Sequence, residues 1–379
     1  MAIRRRNWKT PKGEQREAWI VDYTDQRGER HIKTFATRRE AADWAAQARQ
    51  EVRAGTHTAN SGSLTVVEAF TAWIENCTAE GLERSTIEQR RSHLTHHVAP
   101  FIGNVKLAEL TAPRVRQFID QFRDAGRSLA LRKKIRTNLG TVLRFAQERG
   151  LVAQNVVAGM KVKANKRDAI SGSLRAGVDF PTKAEMKALI DHAPDRWRPL
   201  IITAIFTGMR ISELRGLMWS DVDLARGIVF VRQRADAWRV IGAPKSAAAK
   251  RDVPLAPLVI NTLKAWKLAC PKGELNLVFP NGVGKPLTVP NLRDRVLGPL
   301  QAAAGISPAF KPKYGWHSLR HAAASLFIEQ LGWSPKRLQA VMGHASIQMT
   351  FDHYGHLFEQ DHAADRTAMA KIEAALRAV

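Results

Sequence analysis

The chain has 379 residues, enough for two or three domains with a sizeable core in each. Its 59 lysines and arginines stand against 35 acidic residues, a net charge of +24 that points to a polyanionic partner, nucleic acid before an acidic membrane surface. A hydrophobic content of 45% excludes a disordered basic tail, and two cysteines exclude a disulfide framework or a cysteine zinc site.

The stretch from Met1 to Lys12 is basic with no apolar run behind it, so no signal peptide is expected. No run of apolar residues is long enough to span a membrane, and a reducing, cytoplasmic setting fits the cysteine usage. Residues 1–60 read as strand, turn, strand, helix: Ala18 to Tyr23 and His31 to Phe35 flank a turn at Asp25-Gln26-Arg27-Gly28, and a helix runs from Arg38 to Arg53. The small polar stretch Thr56 to Ser63 reads as a linker. From Leu64 the pattern is helical, with Val66, Val67, Phe70, Trp73, Ile74 and Cys77 on one face. Ser85 and Glu88 have the spacing of a capping box, and further helices are predicted over Pro113 to Asp124 and Ser128 to Glu148. The last of these is free of acidic residues from Ala125 to Gln147 and carries Arg127, Arg132, Lys133, Lys134 and Arg136, a candidate DNA-contacting face.

Residues 161–180 read as a linker. Thr182 and Glu185 form a second capping-box pattern and open a region that mixes helices with short strands. Ile228 to Gln233, Trp238 to Ile241 and Asp252 to Leu255 are predicted to form a small antiparallel sheet. Trp73, Trp219 and Trp266 sit on apolar stretches and read as core. In this region His317-Ser318-Leu319-Arg320 is uninformative alone but gains weight from its surroundings. Upstream, Thr207-Gly208-Met209-Arg210 breaks an apolar helix, and Glu213 lies three residues beyond Arg210, close enough to hold its guanidinium. Downstream come Val341-Met342-Gly343-His344 and Thr350-Phe351-Asp352-His353-Tyr354-Gly355-His356, in a chain with three tyrosines.

TGMRISEL, PKSAAAKRDVPL, HSLRH, VMGHAS and TFDHYGH, in that order, resemble the catalytic domain of tyrosine recombinases, temperate-phage integrases above all. The resemblance implies a mainly α, multidomain fold with small antiparallel β-sheets. Residues 1–60 would be an arm-binding β-β-α domain, 64–160 a helical core-binding domain, and 181–379 a mixed α/β catalytic domain with a C-terminal helical tail. By motif, Tyr354 would be the nucleophile, and Arg210 and Arg320 would clamp the scissile phosphate. His317 and His344 would complete the pocket, Lys245 would be the general acid, and Glu213 a supporting carboxylate. Ser318 and Ala322 depart from the aspartate and small hydroxyl residue usual in the family. The implied partners are double-stranded DNA with specific attachment sites, further copies of the chain in a tetramer, and accessory bending or excision factors. Neither metal nor other cofactor is implied.

The chemistry of the residues agrees. An in-line attack on a phosphodiester builds negative charge on the non-bridging oxygens, and planar guanidiniums with paired donors suit it better than lysines do. A phenol of pKa about 10 is roughly 0.1% ionised at neutral pH, so its proton needs an acceptor. Storing the bond energy in a phosphotyrosine removes any need for ATP. Tyr314 is a rival phenol and Lys250 a rival for Lys245, while His353 and His356 have supporting roles or none. His317 and His321, four apart on a helix, have the spacing of a zinc hydrolase but lack the glutamate that such helices carry. A non-catalytic DNA-binding regulator on the same scaffold, a type IB topoisomerase and a Xer-type chromosome-dimer resolvase compete with the integrase reading.

Overall fold

The computed structural model describes residues 1–9, 11, 14–26, 28–60, 63–164, 174–244, 246–308 and 311–358. The architecture is mainly helical with small antiparallel sheets, as expected, and divides into two compact units, Met1–Ser171 and Gly172–Val379. No helix among the described residues is long and apolar enough to cross a membrane.

The first unit opens with three strands where two were expected. β1 (Ala2–Lys9), β2 (Gln15–Thr24) and β3 (Arg30–Phe35) form an antiparallel meander in which Arg5 faces Trp19 and Trp19 faces Phe35. All eight residues of β1 are exposed, so it has no alternating apolar pattern and is held by its ladder to β2. Helix α1 (Arg38–Arg53) starts at a Thr37–Glu40 capping box and lays Ala41 and Ala45 against Val21 and Tyr23. His57 ties this piece together: Nε2 lies 2.9 Å from the Tyr23 hydroxyl and Nδ1 3.0 Å from Glu51.

The rest of the unit is a helical bundle. Helix α2 (Val66–Ala79) is capped by a Thr65–Glu68 box and buries Phe70, Trp73, Ile74 and Cys77, with Val67 at the margin. The capping box expected at Ser85 does not form. Helix α3 (Arg84–His93) begins earlier, with the Thr86 and Ile87 amides donating to the Glu83 carbonyl, so Ser85 lies inside the first turn. A π turn at Leu94–Val98 joins α3 to α4 (Ala99–Ile102). Helices α5 (Ala112–Asp124) and α6 (Leu129–Glu148), capped by Thr111 and Ser128, close the bundle with Phe118, Phe122, Ile135, Leu139 and Val142 inside.

In the second unit, the Thr182–Glu185 box opens α7 (Lys183–Asp191) as the sequence predicts. Phe180, at the end of the predicted linker, already packs in the core, while residues 165–173 lie outside the described ones. Helices α8 (Arg198–Thr207) and α9 (Ile211–Gly216) lead to β4 (Val222–Asp223) and β5 (Ile228–Val231). These pair with β8 (Arg251–Pro254) in the order β4-β5-β8. The middle predicted strand shrinks to β7 (Ile241–Gly242), which pairs with β6 (Arg234–Ala235) in a separate ladder because Asp236 turns the chain back through the Trp238 and Val240 amides. Helices α10 (Pro257–Ala269), α11 (Val289–Leu292), α12 (Gly298–Ala303), α13 (Trp316–Leu331), α14 (Pro335–Met342) and α15 (Ile347–Tyr354) complete it. Trp219 and Trp266 are core residues, and the Trp266 indole donates to the Val278 carbonyl.

A candidate strand-transfer site built on two helix ends

Two glycines set the frame. Gly208 ends α8 with φ of 61° and Gly343 ends α14 with φ of 65°, the left-handed region in which other residues are strained. A Cβ on Gly208 would lie 2.9 Å from Met342 Sδ, and one on Gly343 would lie 3.0 Å from Arg251 Nη1, so the two turns are also packed closely. Their carbonyls hold the arginines. Arg320 on α13 donates to the Gly208 and Met342 carbonyls, at 2.7 and 2.5 Å, and Arg210 donates to the Gly343 carbonyl at 2.9 Å. Each guanidinium still has N–H donors to spare for an anion.

Arg210 is the residue before α9 rather than a member of its face, so its link to Glu213 is a cap and not a side-by-side helical pair. Its amide and its Nη1 both donate to the Glu213 carboxylate at 2.8 Å. Glu213 is 2% exposed and also receives a bidentate pair from Arg251, at 3.0 and 2.8 Å. Arg251, itself buried, donates further to the Val341 carbonyl at the end of α14. Burial pushes the Glu213 carboxyl up, but the Arg251 and Arg210 guanidiniums outweigh it and hold the acid ionised. Arg251 belongs to the KRDVPL motif, but nothing in the sequence around it signals this role.

Tyr354 ends α15 with its ring 1% exposed and its hydroxyl 2.7 Å from His321 Nδ1. Burial pushes the phenol well above its ordinary pKa, against the pull of Arg320. The His344 ring lies parallel to that of Tyr354, 6.2 Å away at 13°, and its Nδ1 meets the Thr350 hydroxyl at 2.9 Å. His317 keeps an exposed edge and stands edge-on to His321, with ring centroids 4.7 Å apart. Crowding by the pocket walls, then the charges of Arg320 and Arg210, lowers its pKa. Arg320 itself is brought down to about 9, first by burial and then by Arg210.

Arg210, Glu213, His317, Arg320, His344 and Tyr354, drawn from α8–α9, α13, α14 and α15, therefore meet in one basic pocket. Lys245 lies outside the described residues, and Lys250 is exposed beside β8. The rival phenol Tyr314 is buried, and its hydroxyl donates to Glu185 at 3.0 Å, away from this cluster. Ala322 is buried in the main core. His353 is exposed with its ring 5.6 Å from that of His321, and His356 is half-buried in the following turn. His321 is the residue that sequence reasoning missed in this role; the second histidine of HSLRH was its only signal.

On α6 the predicted basic face needs correction. Arg127, Lys133 and Lys134 are exposed, but Arg132 is 2% exposed and donates to the Arg127 carbonyl, and half-buried Arg136 donates to the Val157 carbonyl. Freedom from acidic residues does not distinguish the outer face of a helix from the inner one, and Arg132 lies one turn before buried Ile135.

Comparison with known proteins matches residues 180–361 to the Phage integrase family and residues 67–163 to the Phage integrase central domain. The chain is a tyrosine recombinase of the phage integrase family. It is 26% identical over 363 residues to an integrase of Streptomyces ambofaciens, covering 90% of each chain. It is 28% identical over 235 residues to the prophage integrase IntR of Escherichia coli strain K12, covering 57% of this chain but only 55% of that relative. Among solved structures, the Tn1549 transposon integrase in complex with transposon right end DNA superposes with a TM-score of 0.65 at 17% identity, covering 82% of this chain and 100% of that one. A lambda integrase from a tetramer bound to a Holliday junction gives 0.57 at 20% identity, covering 90% and 95%.

The imidazoles of this tyrosine recombinase make its stability acid-sensitive. Burial first, then nearby guanidinium and imidazole charges, push His344 down to about 3 and His321 down to about 4. In the unfolded chain both titrate near 6.5, so below that pH the unfolded state binds more protons and stability falls as pH drops toward about 4. Each unit of depression is worth about 1.4 kcal/mol before solvent screening. Thermal unfolding between pH 7.5 and 4.5 is expected to show a declining midpoint, and His344→Gln is expected to flatten the decline.

Proposed function

We propose that this protein is a phage-type integrase: a site-specific recombinase that cuts and rejoins double-stranded DNA through a 3′-phosphotyrosine on Tyr354. The observation that carries the reading is the convergence of Tyr354, Arg320, Arg210 and His344 on two helix ends. A DNA-binding regulator would not need both guanidiniums and a buried phenol in one place. Arg210 and Arg320 bind the non-bridging oxygens of the scissile phosphate and, with His317 and His344, stabilise the charge that builds there. Glu213 keeps Arg210 in position, and Lys245 protonates the leaving 5′-oxygen. The integrase reading is favoured over a Xer-type resolvase by the β-β-β-α piece at residues 1–60, which we assign to arm-site binding, with Arg127, Lys133 and Lys134 on the core site. The reaction takes place in the cytoplasm, on the chromosome of the host or element.

The test is adduct formation. A pool of nicked duplexes with a randomised centre is incubated with the protein, and members left covalently attached are recovered from a denaturing gel and sequenced. A defined site linked to Tyr354 supports the reading; a pool that yields no adduct overturns it.

Exchange of strands between two sites needs four such centres, so the working form is a tetramer. Of the apolar residues at helical spacing after Tyr354, Leu357 and Phe358 pack on this chain's own Tyr354 cluster and not on a neighbour. The tail beyond Phe358 lies outside the described residues, and Ala364, Ala368, Ile372, Ala375 and Leu376, on one helical face in sequence, are assigned to a neighbouring copy. Truncation at Asp361 is expected to leave binding to a single site within about twofold and to lower recombination by roughly 10²-fold. The check is a mobility shift run beside a two-site recombination assay; normal recombination by the truncated protein removes the assignment.

A further inference from the structure

A phenol buried to 1% exposure cannot shed its proton to bulk water, so an acceptor must stand within the pocket. The rings of His321, His344 and His353 lie against that of Tyr354, and a fourth histidine, His317, touches the His321 ring; their geometry separates them. The His344 ring lies parallel to the phenol ring with centroids 6.2 Å apart, and its Nδ1 is engaged with Thr350. His353 is the adjacent residue in the chain, with ring centroids 6.0 Å apart and its side chain at the surface. His317 lies one helical turn before His321, its ring edge-on to the His321 ring at 4.7 Å between centroids. Only His321 makes a hydrogen bond to the Tyr354 hydroxyl among the described residues, at 2.7 Å.

We propose that His321 is the general base of the strand-cleavage step, taking the Tyr354 proton on Nδ1 while Nε2 carries the ring hydrogen. The inference rests on the reading of Tyr354 as the nucleophile. In cleavage the Oη–H bond breaks and the proton moves to Nδ1, and the freed electron pair forms the Oη–P bond. The bond from phosphorus to the 5′-oxygen breaks, and that oxygen leaves with a proton from the general acid, the role given to Lys245. In religation the 5′-hydroxyl attacks phosphorus and gives its proton back to the group that acted as general acid, the Oη–P bond breaks, and the His321 imidazolium returns its proton to Oη. The base stands one residue after Arg320, so the α13 backbone fixes phosphate clamp and proton acceptor together.

The surroundings tie the proton transfer to DNA. His317 and Arg320 on α13 and His353 on α15 face the His321 ring with positive or potentially positive charge, and Asp179 opposes them. Together with burial these charges keep the imidazole neutral, while burial, against the pull of Arg320, keeps the tyrosine protonated in the free protein. A phosphate held by Arg210 and Arg320 supplies the negative charge that an imidazolium needs, so the pocket becomes reactive when the strand is bound.

Adduct formation on the selected nicked duplex tests the assignment. His321→Gln keeps a hydrogen-bonding group without proton affinity; it is expected to bind DNA as the wild type does and to form adduct about 10²–10⁴-fold more slowly. His321→Ala is expected to be equally slow and to recover at least tenfold in added imidazole, the rescue following the free-base fraction as pH rises. A duplex with a bridging 5′-sulfur, which leaves without a proton, is expected to leave the His321 variants slow. His321→Gln reacting at the wild-type rate or faster would mean the bond is only a latch, and overturns the proposal. So would slow variants that imidazole does not rescue, or that the sulfur substrate restores in full. If the wild-type protein forms no adduct, the recombinase reading fails and this inference with it, whereas a wild-type adduct with an unaffected His321 variant sinks the inference alone.

Discussion

Tyr354→Phe is expected to bind its DNA site as tightly as the wild type and to form no covalent adduct, a loss of about 10⁴-fold or more in cleavage. The change deletes one oxygen from a ring that is otherwise held by packing, with Ala324, Phe327, Leu338 and Met342 in the same cluster. The fold therefore survives: removing the bond to His321 costs on the order of 1 kcal/mol, and part of that returns because a buried polar group disappears with it. DNA affinity comes from guanidinium and ammonium groups that the substitution leaves in place. The informative measurement is a denaturing gel beside a mobility shift, and an adduct formed by this variant would move the nucleophile elsewhere. Tyr314 could not take over, because its hydroxyl is committed to Glu185.

Glu213→Gln carries the second large effect, this time on stability as well as rate. The carboxylate lies 2% exposed between two guanidiniums, and the Arg251 side chain is only 5% exposed. Replacing the anion with a neutral amide leaves Arg251 charged in a low-dielectric setting and presents donors to donors. Breaking a buried pair in this way costs about 3–5 kcal/mol. For a unit of this size that lowers the unfolding midpoint by roughly 10 °C. Cleavage falls with it, because Arg210 loses one of the two hydrogen bonds that hold it at the start of α9 and meets an amide donor in its place. A calorimetric scan together with adduct kinetics at a temperature where both proteins are folded separates the two consequences. A variant with a wild-type midpoint would show that the pair contributes little.

The chemistry of the pocket is more legible in the sequence than its support. Arg210, His317, Arg320, His344 and Tyr354 can be found because motif order survives where distances in the chain do not, and the structure gathers them from residues 210 to 354. Arg251 and His321 sit beside motif residues, yet their roles depend on contacts across 38 and 33 positions, which no local pattern encodes. Secondary structure follows apolar periodicity where that exists, as in α2. At β1 it does not exist: three consecutive arginines and exposed faces leave only backbone pairing to define a strand. Arg132 misleads for a related reason, because charge read along α6 does not reveal which side of the helix faces Ile135, Leu139 and Val142.

Both guanidiniums of the pocket hang on main-chain oxygens at the ends of α8 and α14, those of Gly208, Met342 and Gly343, which every amino acid supplies. Substitutions at the exposed Lys336, Arg337 and Ala340 of α14 leave those mounts untouched, whereas α8 has no exposed residue at which to vary. Exposed side chains can thus vary while Arg210 and Arg320 keep their anchorage, so drift at the protein's exterior need not disturb the spacing of the two guanidiniums.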